Sequence, residues 1–214
     1  MNKLICIEHA TKCFKDKVVF NDVNIEIFKG DCVGITGYNG CGKSVLMKCI
    51  CGFSKLTQGE VKINGKKIGK DIDFIENAGV IIESPEFIND LSGYKNLKII
   101  AEIQKKIDED RILRIMSLVG LKNEENKKVR KYSLGMKQKL RIAQAIMEYP
   151  EILILDEPTN GLDKQSVENI RKILKSFLSK GGTILLASHN KGDIETLCNT
   201  VYEYNNSDCK FIKI

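Results

Sequence analysis

The sequence predicts an α/β fold in which helices cover both faces of a mostly parallel sheet. Short apolar runs typical of buried strands alternate with longer segments of helical periodicity. A glycine-rich octapeptide at residues 37–44 also lies between one such run and a helix-compatible stretch. Because 214 residues can build one large core, we expect a single domain over residues 1–214.

The predicted elements follow one another in a simple order. The strand-like runs cover residues 4–9, 18–28, 31–36, 59–65, 79–82, 152–155 and 183–187, with two more within 200–214. From about 91 to 149, apolar residues instead recur at the three-to-four spacing of amphipathic helices. We therefore predict an α/β core with a helical insertion between Ile82 and Glu151.

Composition restricts the compartment and the partners. No apolar run reaches the eighteen or so residues that span a bilayer, and no signal peptide is recognisable, so we expect a chain that does not itself cross a membrane. The eight cysteines lack a framework spacing and predict reduced thiols in the cytoplasm. The net charge of +6 is spread along the chain, which favours a solvated surface, and no nucleic acid is expected as a partner.

The octapeptide has the form G-x-x-x-x-G-K-[ST], and it reads Gly37-Tyr38-Asn39-Gly40-Cys41-Gly42-Lys43-Ser44. Glycines let backbone N–H groups turn toward phosphate oxygens without a Cβ in the way. Lys43 would reach the β- and γ-phosphates, the Ser44 hydroxyl would ligate Mg²⁺, and the helix from Val45 would add its partial positive charge. The segment predicts a nucleoside triphosphate site, against the alternative of an ordinary glycine-rich turn.

Cys41 stands inside this phosphate loop. A thiol close to Lys43 and to a helix N-terminus would favour the thiolate form. The sequence therefore predicts a reactive cysteine whose alkylation is blocked by ATP.

A second motif closes the apolar run at 152–155, which ends in Asp156 and Glu157. Alone, two acids at a strand end are ordinary surface residues. Beside a phosphate loop, Asp156 can hold Mg²⁺ directly or through water, and Glu157 can polarise an attacking water.

A third motif, Ser133-Leu134-Gly135-Met136-Lys137-Gln138, resembles the signature motif of ABC (ATP-binding cassette) ATPases. The order of phosphate loop, signature, acidic strand and a later Ser188-His189 is similar to that family over essentially the whole chain. The resemblance implies a P-loop NTPase cassette with an N-terminal antiparallel β subdomain. It places the RecA-like core and β subdomain at about 1–82 and 151–214, and a helical subdomain at about 88–150.

The resemblance also implies roles for single residues. Phe14 would stack on adenine, although an isolated phenylalanine is more often a core residue. His189 would be the switch histidine that contacts the γ-phosphate, although an isolated histidine is more often a surface or capping residue. The residues that would act on the γ-phosphate are Glu157, His189 and Lys43.

The resemblance further implies a head-to-tail dimer closed by ATP. Each nucleotide would lie between the phosphate loop of one copy and Ser133, Gly135 and Met136 of the other, at a helix N-terminus that favours anions. The loop from Asn160 to Asp163 would cross to the partner copy.

The chain departs from the family pattern in two places. Leu134 and Met136 replace the first glycine and the glutamine of the signature, and Glu83, followed by Ser84-Pro85, stands where glutamine is usual. Glutamate keeps an oxygen for Mg²⁺ but adds negative charge beside the γ-phosphate. Both departures resemble the subfamily that exports, or confers immunity to, bacitracin and lantibiotic-type peptides.

The functional hypothesis is the ATP-binding subunit of an ABC transporter, which hydrolyses ATP to drive export through separate transmembrane permease subunits. Such a subunit would lie on the inner face of the cell membrane, as a homodimer or paired with a second cassette. The alternative is a soluble ABC ATPase acting on nucleic acid or ribosomes, supported by the basic charge alone. A catalytically dead module is disfavoured because Lys43, Ser44, Asp156, Glu157 and His189 are all present.

Overall fold

The computed structural model describes residues 3–15, 17–83 and 87–214. Its strands are β1 (Lys3–Phe14), β2 (Lys17–Phe28), β3 (Cys32–Thr36), β4 (Gln58–Ile63), β5 (Lys66–Lys67), β6 (Ala78–Ile81), β7 (Ile152–Asp156), β8 (Thr183–Ala187), β9 (Thr200–Asn205) and β10 (Lys210–Lys213). Its helices are α1 (Lys43–Cys51), α2 (Gly93–Gln104), α3 (Glu109–Leu118), α4 (Leu134–Ile146), α5 (Lys164–Ser179) and α6 (Lys191–Leu197), with a 3₁₀ turn at Val129–Lys131.

The strands form two sheets. One has four strands in the order β2-β1-β4-β5, and all of its pairings are antiparallel. The other has six strands in the order β10-β9-β3-β8-β7-β6, in which β9 through β6 pair in parallel and β10 adds an antiparallel edge. The predicted α/β fold, with its mostly parallel core sheet and N-terminal antiparallel sheet, is confirmed.

The central strands are apolar from end to end because both faces of their sheet are covered. On one face, Ile154 and Leu185 pack into a core shared with α1 and the antiparallel sheet. On the other, Leu155 and Leu186 pack into a core shared with α3, α4 and α5. Because successive side chains along β7 and β8 point to opposite faces, these strands pack into both cores, and the sheet forms a rigid platform between them.

The register of these strands brings three loops together. β3 pairs with β8 so that Ile35 lies opposite Ala187, and β8 pairs with β7 so that Ala187 lies opposite Asp156. Since parallel strands end at the same edge of a sheet, the loops after β3, β7 and β8 leave the core side by side. These loops carry the phosphate motif, the acidic pair and His189.

Helices α2, α3 and α4 occupy the chain between β6 and β7. We propose that they form the helical subdomain at about 88–150, inserted into a core and β subdomain at about 1–82 and 151–214. Among the residues that the structure describes, no helix is long and apolar enough to cross a bilayer.

The contact between β6 and α4 is close enough to require a glycine. A Cβ on Gly79 would collide with the carbonyl oxygen of Ala145 and lie 2.8 Å from Cδ2 of Leu153. The helical insertion therefore sits directly on the backbone of the edge strand.

Replacing Gly79 with Ala should lower the free energy of unfolding by about 1–3 kcal/mol, because the added methyl group overpacks a closed contact. Chemical denaturation of the purified chain measures the effect. A stability equal to that of the parent would contradict the packing of α4 on β6.

Candidate functional site

The phosphate loop joins β3 to α1 in a conformation that needs its glycines. Gly37, Gly40 and Gly42 have φ angles of 147°, 83° and 109°, all in the region that favours glycine. Space is also limited, since a Cβ on Gly42 would lie 2.6 Å from Cγ1 of Val19. The predicted loop residues are therefore held in one compact turn at the start of a helix.

Lys43 lies across this loop. Its side chain is buried, and Nζ donates hydrogen bonds to the carbonyl oxygens of Gly37, at 2.8 Å, and Tyr38, at 3.2 Å. The same ammonium lies 3.5 Å from Nε2 of His189. Together with the N-terminus of α1, it makes this end of the cleft electropositive and suited to phosphate.

Ser44 and Asp156 meet across the same edge. The Ser44 hydroxyl donates a hydrogen bond to Oδ2 of Asp156, which joins the first turn of α1 to the end of β7. Oxygen donors of this kind fit Mg²⁺, which keeps few protein ligands and takes the rest of its shell from phosphate and water. No cluster of three acidic, histidine or cysteine side chains suited to a metal occurs in the described part of the chain.

Glu157 and His189 line the same cleft beside Lys43. The Glu157 N–H donates to the Ala187 carbonyl at 2.9 Å, and Oε2 accepts a hydrogen bond from the backbone N–H of His189 at 3.2 Å. Oε1 lies 3.3 Å from Nε2 of His189, but without hydrogen-bond geometry, so this buried oxygen has no hydrogen-bond partner among the described residues.

Burial raises the pKa of Glu157, against the opposing influence of the His189 N–H and ring. Its backbone has φ of 49°, a left-handed conformation that costs a non-glycine residue roughly 1–3 kcal/mol. A strained backbone and an unpaired carboxylate oxygen of raised basicity are features expected of a base that acts on water.

The wide cleft over the phosphate loop has a volume of about 870 Å³. The described lining includes Phe14, Val45, Glu83, and the loop from Tyr38 to Ser44. The Phe14 ring is 52% exposed and lies 4.5 Å from the ammonium of Lys12, so it is a surface aromatic and not part of the core. An exposed ring at the cleft rim is suited to stacking on a base.

Glu83 lines the cleft but is paired with Lys48. Its Oε1 lies 2.5 Å from Nζ of Lys48, and its side chain is mostly exposed. Such an exposed ion pair is worth only about 0–1 kcal/mol, so the carboxylate can turn toward a cation at small cost. The following residues, Ser84 and Pro85, lie outside the described part of the chain.

The signature segment caps its own helix. The Ser133 hydroxyl accepts a hydrogen bond from the Met136 N–H at 3.2 Å and so forms the N-cap of α4. Leu134, which replaces a glycine of the family pattern, is 66% exposed and packs over Gly161. Leu134 reaches the cleft of its own chain, whereas the described lining of that cleft does not include Ser133, Gly135 or Met136.

Asp163 likewise caps its own helix. Its Oδ1 accepts from the Ser166 N–H at 2.9 Å, and its Oδ2 from the Ser166 hydroxyl at 2.7 Å. These hydrogen bonds lower the pKa of Asp163. Like Ser133, Asp163 is not part of the described lining of the cleft, so one copy of the chain assembles only part of the predicted site.

Two cleft residues, Gln138 and Arg141, were not predicted as functional. Gln138 is buried, donates to the Pro158 carbonyl at 2.9 Å and accepts from Nη1 of Arg141 at 2.9 Å. Both line the cleft, and Gln138, which Arg141 holds, ties α4 to the loop after β7. The sequence interpretation took the basic residues of the chain, Arg141 among them, as a solvated surface. Gln138 and Arg141 lie three residues apart, which puts both on one face of the helix, and this spacing was the available signal.

The predicted reactivity of Cys41 is wrong. The side chain is only 2% exposed, and burial raises the pKa of its thiol more than Lys43 lowers it. Its sulfur packs beneath the loop, so close that a Cβ on Gly37 would lie 2.7 Å from it. A buried thiol remains protonated even beside a lysine.

Alkylation of Cys41 by iodoacetamide near neutral pH should therefore be slower than that of the partly exposed Cys13. The rate should rise with pH, because the raised pKa leaves little thiolate near neutrality. Mass spectrometry of each cysteine-containing peptide measures both rates. Faster modification at Cys41 than at Cys13 would contradict the burial.

Similarity in sequence and similarity in structure to known proteins lead to the same family. The ABC transporter family model matches residues 20–160. The chain is 40% identical to the uncharacterized ABC transporter ATP-binding protein YybJ of Bacillus subtilis, covering 94% of this chain and 93% of that protein. It is 36% identical to the lantibiotic transport ATP-binding protein SrtF of Streptococcus pyogenes, covering 92% and 85%. It is 37% identical to the bacitracin transport ATP-binding protein BcrA of Enterococcus faecalis, covering 94% of this chain and 66% of that longer protein.

Solved structures agree on the fold. An ATP-binding subunit of an ABC transporter superposes with a TM-score of 0.86 at 25% identity, covering 97% of this chain and 88% of that one. A dimeric ATP-binding cassette in a post-hydrolysis state with ADP and Pi superposes with a TM-score of 0.86 at 23% identity, covering 97% and 96%. The chain therefore belongs to the ABC transporter family of ATPases, among relatives named for lantibiotic and bacitracin transport, as the sequence predicted.

Proposed function

We propose that this chain hydrolyses ATP between two copies arranged head to tail and thereby drives export through separate transmembrane subunits. One observation carries the proposal: the phosphate loop, Asp156, Glu157 and His189 share one cleft, while Ser133, Gly135 and Met136 are not part of its described lining. One copy therefore supplies the phosphate loop and the hydrolytic groups, and a second surface is needed to cover the nucleotide.

Nucleotide binding is assigned to the phosphate loop and its surroundings. Phe14 stacks on the base, and residues 37–45 with the N-terminus of α1 hold the phosphates. Ser44 and Asp156 hold Mg²⁺, and Glu83 joins them once it leaves Lys48. The cation, when bound, neutralises charge on the β- and γ-phosphate oxygens.

Hydrolysis is assigned to Glu157 and His189, which line the cleft beside the phosphate loop. The free Oε1 of Glu157 accepts the proton of the attacking water, so that the oxygen can add to the γ-phosphorus as the bond to the leaving ADP breaks. Lys43 and His189, whose Nζ and Nε2 lie 3.5 Å apart, stabilise charge on the transferred group.

The second copy supplies what one cleft lacks. Ser133 and the backbone at Gly135 and Met136 present a helix N-terminus, which favours anions. The exposed Leu134 and the Asp163 loop stand beside this terminus, and both would be covered by the partner. Nucleotide then holds the two copies together, and hydrolysis weakens the contact.

Permease subunits are proposed to dock in a groove of about 800 Å³ between β6 and helices α2 and α4. Phe53, whose ring is 56% exposed, lies at its edge, and Phe74 packs against Phe53 with 6.0 Å between ring centres. Exposed aromatic side chains beside a groove are suited to receiving a protein segment. The chain then lies on the inner face of the cell membrane, and the names of SrtF and BcrA support an antimicrobial peptide or antibiotic as cargo.

Glu157→Gln tests the catalytic assignment. Turnover should fall by roughly 100-fold or more, because the amide cannot accept the proton. ATP should then retain the variant as a dimer on size-exclusion chromatography. The exposed Glu195→Gln on α6 is the matched control and should behave as the parent. Parental turnover by Glu157→Gln would require another base.

The pH profile gives an independent check. Since burial raises the pKa of Glu157, the carboxylate is protonated at a higher pH than an ordinary glutamate. Turnover of the parent should therefore decline on acidification while the pH is still above the usual glutamate range. An acid limb at an ordinary glutamate pKa would contradict the assignment.

Glu83→Gln tests the cation assignment. We expect turnover to persist and the Mg²⁺ titration to move to higher concentration, because a neutral amide oxygen attracts the cation less strongly than a carboxylate does. Glu109→Gln is the control, since Glu109 is also an exposed carboxylate paired with a lysine, Lys98, at 2.6 Å. Identical Mg²⁺ titrations of Glu83→Gln and the parent would remove Glu83 from the cation site.

A further inference from the structure

A buried ionic cluster lies next to the cleft and has no part in the functions assigned above. The carboxylate of Asp193, in the first turn of α6, is fully buried. Its Oδ1 accepts from Nε and Nη2 of Arg171 at 2.8 and 2.7 Å. Its Oδ2 accepts from the hydroxyls of Thr159, at 2.6 Å, and Ser188, at 3.1 Å. Both oxygens are therefore fully engaged.

The two hydroxyls come from the two loops that carry the proposed hydrolytic groups. Thr159 follows Glu157 by two residues, and Ser188 immediately precedes His189. Both hydroxyl-bearing residues are buried. A single carboxylate oxygen thus fixes the loop after β7 to the loop after β8 from beneath.

This connection matters because Glu157 holds a costly conformation. Left-handed backbone at a non-glycine residue persists only where the surroundings over-determine it. The same loop has other ties, among them the hydrogen bonds from the Glu157 N–H to the Ala187 carbonyl at 2.9 Å and from the His189 N–H to the Glu157 carboxylate at 3.2 Å. If the Thr159 or Ser188 tie were lost, Glu157 could relax and its distance from His189 would change.

We propose that Asp193, held in place by Arg171, is a positioning residue for ATP hydrolysis. It sets the relative placement of Glu157 and His189 through Thr159 and Ser188, without touching the nucleotide. This inference rests on the proposed function. It concerns the rate of turnover and not the affinity for ATP, because the phosphate loop is built on β3 and α1, and neither element belongs to the Asp193 cluster.

Removal of the Asp193 charge would take away the buried carboxylate that Arg171 binds, leave the guanidinium with its exposed partner Glu168 at 2.7 Å, and endanger folding. The decisive variants therefore remove one hydroxyl each: Thr159→Val, which keeps the branched shape, and Ser188→Ala. In the purified full chain, kcat should fall roughly tenfold or more, because small misplacements of catalytic groups are costly. The dissociation constant of a fluorescent ATP analogue should stay within about twofold, and Thr159→Ser should restore most of kcat.

Thr183→Val is the matched control. Thr183 is also a buried threonine, and its hydroxyl accepts from the Gly30 N–H at 2.9 Å at the opposite end of β8. It should lose thermal stability comparable to that of Thr159→Val but keep the parental kcat.

Two results would overturn the inference while leaving the proposed function intact. One is parental kcat in both Thr159→Val and Ser188→Ala. The other is an equal loss of kcat in Thr183→Val, which would assign the effect to general destabilisation. A parent chain that does not hydrolyse ATP would instead overturn the proposed function and, with it, this inference.

Discussion

The pairing of β3, β8 and β7 in one parallel register is the constraint on which the site depends. It places the ends of three strands side by side, with Ala187 opposite both Ile35 and Asp156. The phosphate loop, the acidic pair and the His189 loop are far apart in sequence and become neighbours only through these backbone hydrogen bonds. The apolar composition of the strands, which buries both faces, makes that register rigid.

On this platform the polar groups form two layers. The upper layer faces the cleft and contains Lys43, Ser44, Asp156, Glu157 and His189. The lower layer is the Asp193 cluster, which joins the loops from inside. Among the described residues, the upper layer keeps a carboxylate oxygen of Glu157 without a hydrogen-bond partner and a strained backbone there, while each carboxylate oxygen and hydroxyl of the lower layer has a partner. The buried hydrogen bonds of the lower layer hold the loops in place, so reactive groups can lie on loops whose backbone is fixed.

The fold was predictable from sequence because its signals are local. Apolar runs marked the parallel strands, and the three-to-four spacing marked the helical insertion. The phosphate loop needs glycines at set positions, so its spacing was sufficient to locate it. Phe14 was located only by its place in the family's motif order, since an exposed aromatic and a buried one look alike in sequence.

The rest of the site depends on side-chain directions that a sequence does not encode locally. The Cys41 thiol is buried, and burial raises its pKa more than the neighbouring Lys43 lowers it, so the thiol is unreactive. Glu83 is held by Lys48, in the last turn of α1. The Asp193 cluster joins α5, α6 and two loops, and neither the buried Asp193 nor its hydroxyl partners form a motif. These features arise only once distant segments pack together.

The central claim is that each ATP lies between the phosphate loop of one copy and the Ser133 helix of another. The most direct measurement mixes two variants, both made in the Glu157→Gln background. Lys43→Ala disables the phosphate loop, and Ser133→Arg blocks the N-terminus of the helix that follows Ser133. Neither alone should form an ATP-dependent dimer, whereas the mixture should form one that retains one ATP per two chains, because one composite site is intact. Failure of the mixture to do so, or dimerisation of Ser133→Arg alone with ATP, would contradict the shared site.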